Sequence, residues 1–390
     1  MGWKKKVLLF VETSRCYGRN IIYGVSRRVA ENRNWTLYFQ DRGVWEEVPE
    51  SIEKCDCDGI ISRCSSPAIY NRLRSLNVPL IELLGDEETF FPAVKNDERT
   101  NCRMAADHFL GSGFRHFAFF AVSDTPWARV RQRFFHDALL GRPTHCESYD
   151  FFSTGAESAL SQSRWGWWQG NETEILAWLH SLPKPVAILC EWDMSAFFLI
   201  NICNNNGVMI PEEVAILGYG NNADLCISSS PSLSSVVSNG REVGYQAAIL
   251  LEKKFQNQPL PNLPLEIPAT HIAVRQSTQR FGADDPIVAH ALGFIRENIA
   301  MHPNVSEVAK NAGVSSTTLC RLFRKKLNRS PEEEIIRCCM NWAKELLAET
   351  DFPISKIAHF LQYSSVASFA RTFRRETGTT PSQFREKARQ

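Results

Sequence analysis

The sequence predicts two units of different class, a two-lobed α/β domain followed by an all-α domain with a double helix-turn-helix. Three observations carry this. From Val7 to about Val274, short apolar runs alternate with helical patterns, as in a parallel sheet covered on both faces. The last hundred or so residues have no such runs and hold a helix-turn-helix pattern twice. At 390 residues the chain also exceeds one ordinary domain, at roughly 100–200 residues each.

The strand-like runs are Val7–Val11, Trp35–Phe39, Gly59–Ile61, Leu80–Leu83, His116–Val122, Val186–Leu189 and Val214–Leu217. Helical patterns fill the gaps: Asn20–Ala30, Thr100–Leu110, Arg131–Leu140, Glu172–His180, Met194–Asn205 and Val243–Phe255. About 270 residues is large for one doubly wound sheet, which predicts two lobes with a ligand-accepting cleft between them. Arg275-Gln276-Ser277-Thr278 closes the region, and residues 279–285, with Gly282 and two acids, read as a linker. The expected division is 1–278, 279–285 and 286–390.

In the first helix-turn-helix, Val305, Val308 and Ala309 precede Gly313-Val314-Ser315, then Leu319, Leu322 and Phe323. The second reads Ile354, Ile357 and Ala358, then Tyr363-Ser364-Ser365, Phe369 and Phe373. In each, an Ala leaves room for a second helix to cross closely. Gly313 stands where the turn calls for positive φ; the equivalent Gln362 is predicted to cost about 1 kcal/mol there. A further helix, Glu333 through Leu347, holds the two motifs at fixed separation.

Charge agrees with this division. The whole chain carries +1, but from Asp284 onward there are 16 Lys and Arg against 12 Asp and Glu, leaving 28 against 31 for the rest. The basic excess sits with the tandem motif, which points to double-stranded DNA as a partner. Twelve cysteines, without paired spacing, read as reduced thiols of a cytoplasmic protein. Cys55-Asp56-Cys57 lacks a second ligand pair, so no metal is expected, and no cofactor either. The apolar run after Lys4-Lys5-Lys6 is too short for a signal peptide or a membrane span. Gly218-Tyr219-Gly220-Asn221-Asn222-Ala223 has the G-x-G-x-x-A form of a dinucleotide loop, but the next segment, Asp224–Ser232, is rich in Ser, holds Pro231 and completes no βαβ unit. An enzyme is therefore not expected.

Residues 286–388 resemble an AraC-family DNA-binding domain. The closing run Phe373, Arg374-Arg375, Gly378, Thr380-Pro381 and Phe384-Arg385 carries that resemblance along with the two motifs. The first domain resembles the periplasmic-binding-protein-like sugar sensor of lac-repressor-type regulators. The matching phrases are Val78-Pro79, Asn96-Asp97, Gly111–Gly113 with Arg115-His116, and Pro211-Glu212-Glu213-Val214 through Gly218; Leu233–Val237, with Gly244 and Ala247-Ala248, fits the crossing back between lobes. A sensor placed ahead of an AraC-type reader resembles the regulators of xylose operons. The resemblance implies an activator of sugar-catabolic genes, a pentose effector with xylose favoured, a homodimer, and RNA polymerase as a further partner.

It also implies the sites. Arg131 aligns with the family's ligand-contacting Arg and Asp193 with its Asn-Asp or Thr-Asp pair, both near the carboxyl ends of predicted strands, where open α/β sheets bind ligands; the alternative for Asp193 is an N-cap of the helix Met194–Asn205. After Leu217 the family carries a sugar-gripping Asp that this chain lacks; Asn221 is the candidate to reach the same hydroxyls, and an effector other than a sugar stays open. Tyr17 and Arg19 occupy a loop where similar regulators hold ligand. Trp127 and Trp192 flank the polar candidates and could stack on a sugar ring, as could the cluster Trp165-Gly166-Trp167-Trp168. In the second domain, spacing and similarity to AraC-type readers turn Thr317, Cys320 and Arg321, and Ala367, Ala370 and Arg371, toward base edges. Arg324, Lys325, Lys326, Arg374 and Arg375 lie a turn later, toward phosphate.

Overall fold

Each lobe of the first domain grows from a parallel sheet whose strands are apolar on both faces. The computed structural model describes residues 4–39, 41, 43, 55–63, 67–84, 92–122, 125–142, 150–152, 167–261, 264–279 and 285–388. The first lobe holds β1 (Lys5–Phe10), α1 (Cys16–Asn32), β2 (Trp35–Tyr38), β3 (Gly59–Ser62), α2 (Pro67–Ser75) and β4 (Leu80–Glu82), in the sheet order β2-β1-β3-β4. All four strands run parallel. β3 and β4 are buried at every residue, because helices cover both faces of a parallel sheet.

β5 (Val94–Asn96) carries the chain to the second lobe, which begins with α3 (Glu98–Gly111), β6 (His116–Ala121), α4 (Pro126–Leu139) and β7 (Phe151–Phe152). It continues through α5 (Trp167–Ser181), β8 (Val186–Cys190), α6 (Asp193–Asn205), β9 (Val214–Tyr219), α7 (Ala223–Ser228) and β10 (Ser234–Val236). α8 (Gly240–Phe255) returns to the first lobe and packs along α1. β11 (Leu265–Ile267) pairs in parallel with β5, and β12 (Ile272–Ala273) ends the second sheet, ordered β12-β10-β9-β8-β6-β7 with β12 antiparallel.

α1 and α8 approach closely because glycines face carbonyls. A Cβ on Gly24 would lie 1.9 Å from the Arg241 carbonyl oxygen, and one on Gly244 would lie 2.0 Å from that of Ile21. Backbone cannot yield as a flexible side chain does, so Gly244→Ala is expected to cost about 1–3 kcal/mol or more. A urea denaturation midpoint equal to the parent's would contradict it.

The seven strand-like runs all become strands, displaced by no more than two residues at either end. β5, β7, β10, β11 and β12 are too short to leave a periodic signal. One placement is corrected: Ser234–Val236, read as part of the crossing between lobes, is a strand of the second sheet, and the crossing comes after it. α4 begins at Pro126, five residues before the pattern suggested, with Thr125 accepting from the Ala128 N–H. Trp127 and Arg131 therefore lie a turn apart on one helix face. Trp165 and Gly166 lie outside the described residues, as do 280–284 of the expected linker.

The second domain is helical throughout. It comprises α9 (Pro286–Glu297), α10 (Val305–Asn311), α11 (Ser316–Leu327), α12 (Pro331–Glu349), α13 (Ile354–Phe360), α14 (Val366–Thr377) and α15 (Pro381–Ala388). One apolar cluster joins them, with Phe323, Leu347, Phe369 and Phe373 fully covered. α12 starts with a capping box: Ser330 accepts from the Glu333 N–H while Glu333 accepts from the Ser330 N–H, and Pro331 fills the first helical position. Against the sensor, Arg296 of α9 forms an ion pair with Glu212, both side chains at most 5% exposed. Ser232 Oγ donates to Glu345 at 3.0 Å, and α7 packs on α12.

Candidate functional site

A cavity opens where the carboxyl ends of β1, β3, β8 and β9 meet the start of α4. Glu12, Arg15 and Tyr17 come from the β1 end, Arg63 from β3, Trp127 and Arg131 from α4, Trp192 and Asp193 from β8, and Tyr219 and Asn222 from β9. Open α/β sheets bind ligands at such strand ends because the loops there converge while the strands hold them rigidly.

Arg131 lies at the centre of a hydrogen-bonded network. Its Nη2 and Nε donate to Glu98 at 2.9 and 3.2 Å, its Nη1 donates to the Glu191 carbonyl at 2.5 Å, and its guanidinium lies 3.6 Å over the Tyr219 ring. Tyr219 OH donates to Glu98 at 2.6 Å and accepts from Asn101 Nδ2 at 2.6 Å. A second buried ion pair joins Arg63 to Glu12, and the Arg63 guanidinium sits over the rings of Tyr17 and Trp127. Arg15 differs: it stacks 3.5 Å over Trp192 and has no carboxylate partner among the described residues. Burial, and then the neighbouring Arg63, pull its guanidinium down to about 10.

Asp193 is buried, and both its oxygens are engaged. Ser235 Oγ donates to Oδ1 at 2.5 Å and the Asn222 N–H to Oδ2 at 2.7 Å. Burial raises its carboxyl, and those two bonds oppose the rise. The residue does not cap α6; it is the first residue of that helix, and its side chain ties the helix to β9 and β10. A Cβ on Gly218 would lie 2.4 Å from Asp193 Oδ1, so the glycine makes room for the tie.

Five of the seven sequence candidates therefore line one cavity: Tyr17, Trp127, Arg131, Trp192 and Asp193. Two do not. Arg19 is exposed and donates to the Thr13 carbonyl at 2.8 Å. Asn221 adopts φ 54°, and its Oδ1 accepts from Arg275 at 3.0 Å, so its neighbour Asn222 faces the cavity in its place. Sequence reasoning missed Glu12, Arg15, Arg63 and Tyr219. They lie at or just beyond the carboxyl ends of β1, β3 and β9, the same kind of position as Asp193 after β8, so the strand-end rule applied there would have found them.

Beneath the cavity, burial pushes the Glu191 carboxyl up to about 7, while hydrogen bonds from the Val122 N–H and Ser195 Oγ hold it lower than burial alone would. In the unfolded chain the group ionises near 4.3. Between those values the folded chain holds the extra proton, so stability falls as pH rises through the window, by about 4 kcal/mol by pH 8. Glu191→Gln is expected to flatten that decline and to raise the melting temperature at pH 8. Parent and variant melting in parallel from pH 5 to 8 would refute this.

The two motifs of the second domain match in detail. Gly313 and Gln362 both adopt positive φ, 69° and 58°, the left-handed turn the sequence predicted. Ser315 and Ser365 cap α11 and α14. Leu319, Phe323, Phe369 and Phe373 are buried, and Thr317, Arg321, Ala367 and Arg371 are exposed, with Cys320 and Ala370 half-buried. Arg324, Lys325, Lys326, Arg374 and Arg375 are exposed a turn later. Among the described residues no group of His, Cys, Asp and Glu could hold a metal, and no helix is long and apolar enough to cross a membrane.

Comparison with known proteins agrees with both halves. A family described as periplasmic binding protein-like domain matches residues 106–278, and a helix-turn-helix domain family matches 308–387. The xylose operon regulatory protein of Haemophilus influenzae is 26% identical over 389 residues, 97% of this chain and 98% of that protein. Its counterpart in Escherichia coli K12 is 24% identical over 395 residues, 98% and 97% of the two chains. The solved structure of a xylose-binding transcription activator, 22% identical, superimposes with a TM-score of 0.84 over 98% of each chain. The chain thus joins a periplasmic-binding-protein-like domain to an AraC-type helix-turn-helix domain and is homologous along nearly its whole length to the xylose operon regulatory proteins.

Proposed function

We propose that this protein is a ligand-responsive, sequence-specific DNA-binding transcription regulator whose sensor takes a pentose, xylose or a close analogue, and which activates sugar-catabolic genes. The carrying observation is the pairing, in one chain, of a polar strand-end cavity with two matched helix-turn-helix motifs, in the order found in the xylose operon regulators. In the cavity, Arg131 and Asp193 offer hydrogen bonds to hydroxyls and Trp127 offers a ring face. We divide the chain at 279–285, assign Arg321 and Arg371 to base edges, and assign Arg324, Lys325 and Arg374 to phosphate. We also read it as a cytoplasmic homodimer that recruits RNA polymerase.

The Gly218–Ala223 string supports a regulator over a dinucleotide-binding enzyme. The Asn222 N–H that would face a pyrophosphate is bonded to the Asp193 carboxylate, which would repel one. The experiment is a thermal-shift panel of pentoses and hexoses on the full chain. A pentose at 100 times its dissociation constant is expected to stabilise by about 2.7 kcal/mol, and a flat panel removes sugar sensing. On DNA, Arg321→Ala is expected to cost about 1–3 kcal/mol on the preferred duplex, while Lys325→Ala weakens all duplexes alike and lowers the salt slope by about one. Mobility shifts at two salt concentrations separate the two, and an Arg321→Ala loss equal on scrambled DNA would reassign that residue to phosphate.

A further inference from the structure

We propose that the second helix-turn-helix reads thymine by its C5-methyl groups, so that the two boxes of the operator differ, the second being the richer in A·T pairs. This rests on the DNA-reading role proposed above and specifies it.

The two second helices are copies fifty positions apart: Leu319 and Phe369, Arg321 and Arg371, Phe323 and Phe373, Pro331 and Pro381 all correspond. Both helices have 12 residues. The capping hydroxyls of Ser315 and Ser365 accept from Thr318 and Ser368 at 3.2 and 3.1 Å. Equal positions therefore face equal surroundings, and the open first turns can be compared directly. α11 offers Ser316, Thr317, Cys320 and Arg321, whereas α14 offers Val366, Ala367, Ala370 and Arg371.

Ser316, Thr317 and Cys320 of the first helix are replaced in the second by Val366, Ala367 and Ala370, while Arg371 keeps the place of Arg321. Val366 is 43% exposed, and nothing in the fold calls for a β-branched apolar residue on an open first turn, where a polar one costs less. The surrounding charge names the occupant. Arg371, Arg374 and Arg375 are exposed on the same helix, with Glu376 the single acid among them and already paired to Arg375. An apolar patch bordered by guanidinium groups suits the major groove, where thymine presents the one methyl group among the base edges and phosphates flank it. The patch also works by exclusion: set against guanine, Val and Ala would leave O6 and N7 dry and unbonded, a penalty of at least about fivefold in affinity.

The test uses the full chain with xylose and a pool of randomised duplexes, from which the bound sequences are enriched. The preferred duplex is then rebuilt with uracil in place of thymine in each box separately, which removes methyls and leaves every hydrogen bond. Uracil in one box is expected to weaken binding by about fourfold per methyl contacted, and uracil in the other to change nothing. The double variant Val366→Ser, Ala367→Ser, which puts hydroxyls in place of exposed methyl contacts, is expected to melt like the parent and to lose the uracil penalty. Insensitivity of both boxes, or a penalty that persists in the variant, overturns the proposal while leaving DNA reading intact. Uracil-insensitive binding together with lost promoter activation in the variant assigns this face to a protein partner and also overturns it. A pool that enriches no sequence removes the DNA-reading role itself.

Discussion

Glu212→Ala is expected to separate the melting of the two domains. Glu212 and Arg296 form the buried ion pair that joins the sensor to the first helix of the DNA-binding domain, and both side chains are almost wholly shielded from water. Removing one partner leaves a charge buried and uncompensated, which typically costs about 3–5 kcal/mol. That cost falls on the interface and spares both cores, so calorimetry of the variant should show the helical domain melting in a separate transition below the sensor. Replacing both partners by apolar residues, Glu212→Leu with Arg296→Met, is expected to recover most of the loss, since desolvating the pair offsets much of its attraction. Glu212 Oε2 has no hydrogen-bond partner among the described residues, so the native pair is itself imperfectly satisfied. A single transition at the parent's temperature in Glu212→Ala would show that the ion pair does not hold the domains together.

The second large effect is expected from Arg131→Ala. Three of the five N–H donors of Arg131 are committed to Glu98 and to the Glu191 carbonyl, and its flat face covers Tyr219. Without it, Glu98 is left, among the described residues, with the Tyr219 hydroxyl and a long contact to Asn96. The loss should approach the same 3–5 kcal/mol. Arg131→Lys is expected to recover little, because an ammonium cannot make two parallel bonds to a carboxylate. Glu98→Gln with Arg131→Met should restore stability without restoring the response to sugar, which separates holding the cavity together from touching its ligand. Urea denaturation gives the first quantity and the sugar-induced thermal shift the second. Unchanged stability in Arg131→Ala would mean that the network contributes nothing to folding.

The parts of the fold legible in the sequence were those fixed by local rules. Val186–Leu189 and Val214–Leu217 are apolar at every position and short, as strands of a parallel sheet covered on both faces are. The turn at Gln362 is another case. Its place after Ala358 predicted positive φ although the residue is not glycine, and the backbone takes φ 58° because the Tyr363 N–H must reach the Ala358 carbonyl, as the Val314 N–H reaches Ala309. β5, β11 and β12 were illegible: with two or three residues each, they exist only because the lobes bring their partners alongside.

The site divides in the same way. Its location at the carboxyl ends of strands could be named in advance, because alternating apolar and helical runs fix which loops leave the same edge of a parallel sheet, while Tyr17, Trp127, Arg131, Trp192 and Asp193 within it were named by the family resemblance. The choice of Asn222 over Asn221 could not, since it depends on φ 118° at Gly220 and on Arg275, fifty-four residues further along, drawing the Asn221 side chain away. Arg15 on Trp192, Arg63 with Glu12 and Arg131 with Glu98 likewise join groups from separate elements. The sequence by itself determined the longer elements, their class, the order of an α/β region before a helical one and the sheet edge at which the polar cavity opens, because those depend on periodicity, capping and spacing within a few residues. Only the tertiary structure decided which charged side chains neutralise one another and which, like Arg15, stack on a ring with no carboxylate partner among the described residues, because ion pairing depends on distances that exist only after distant strand ends have converged.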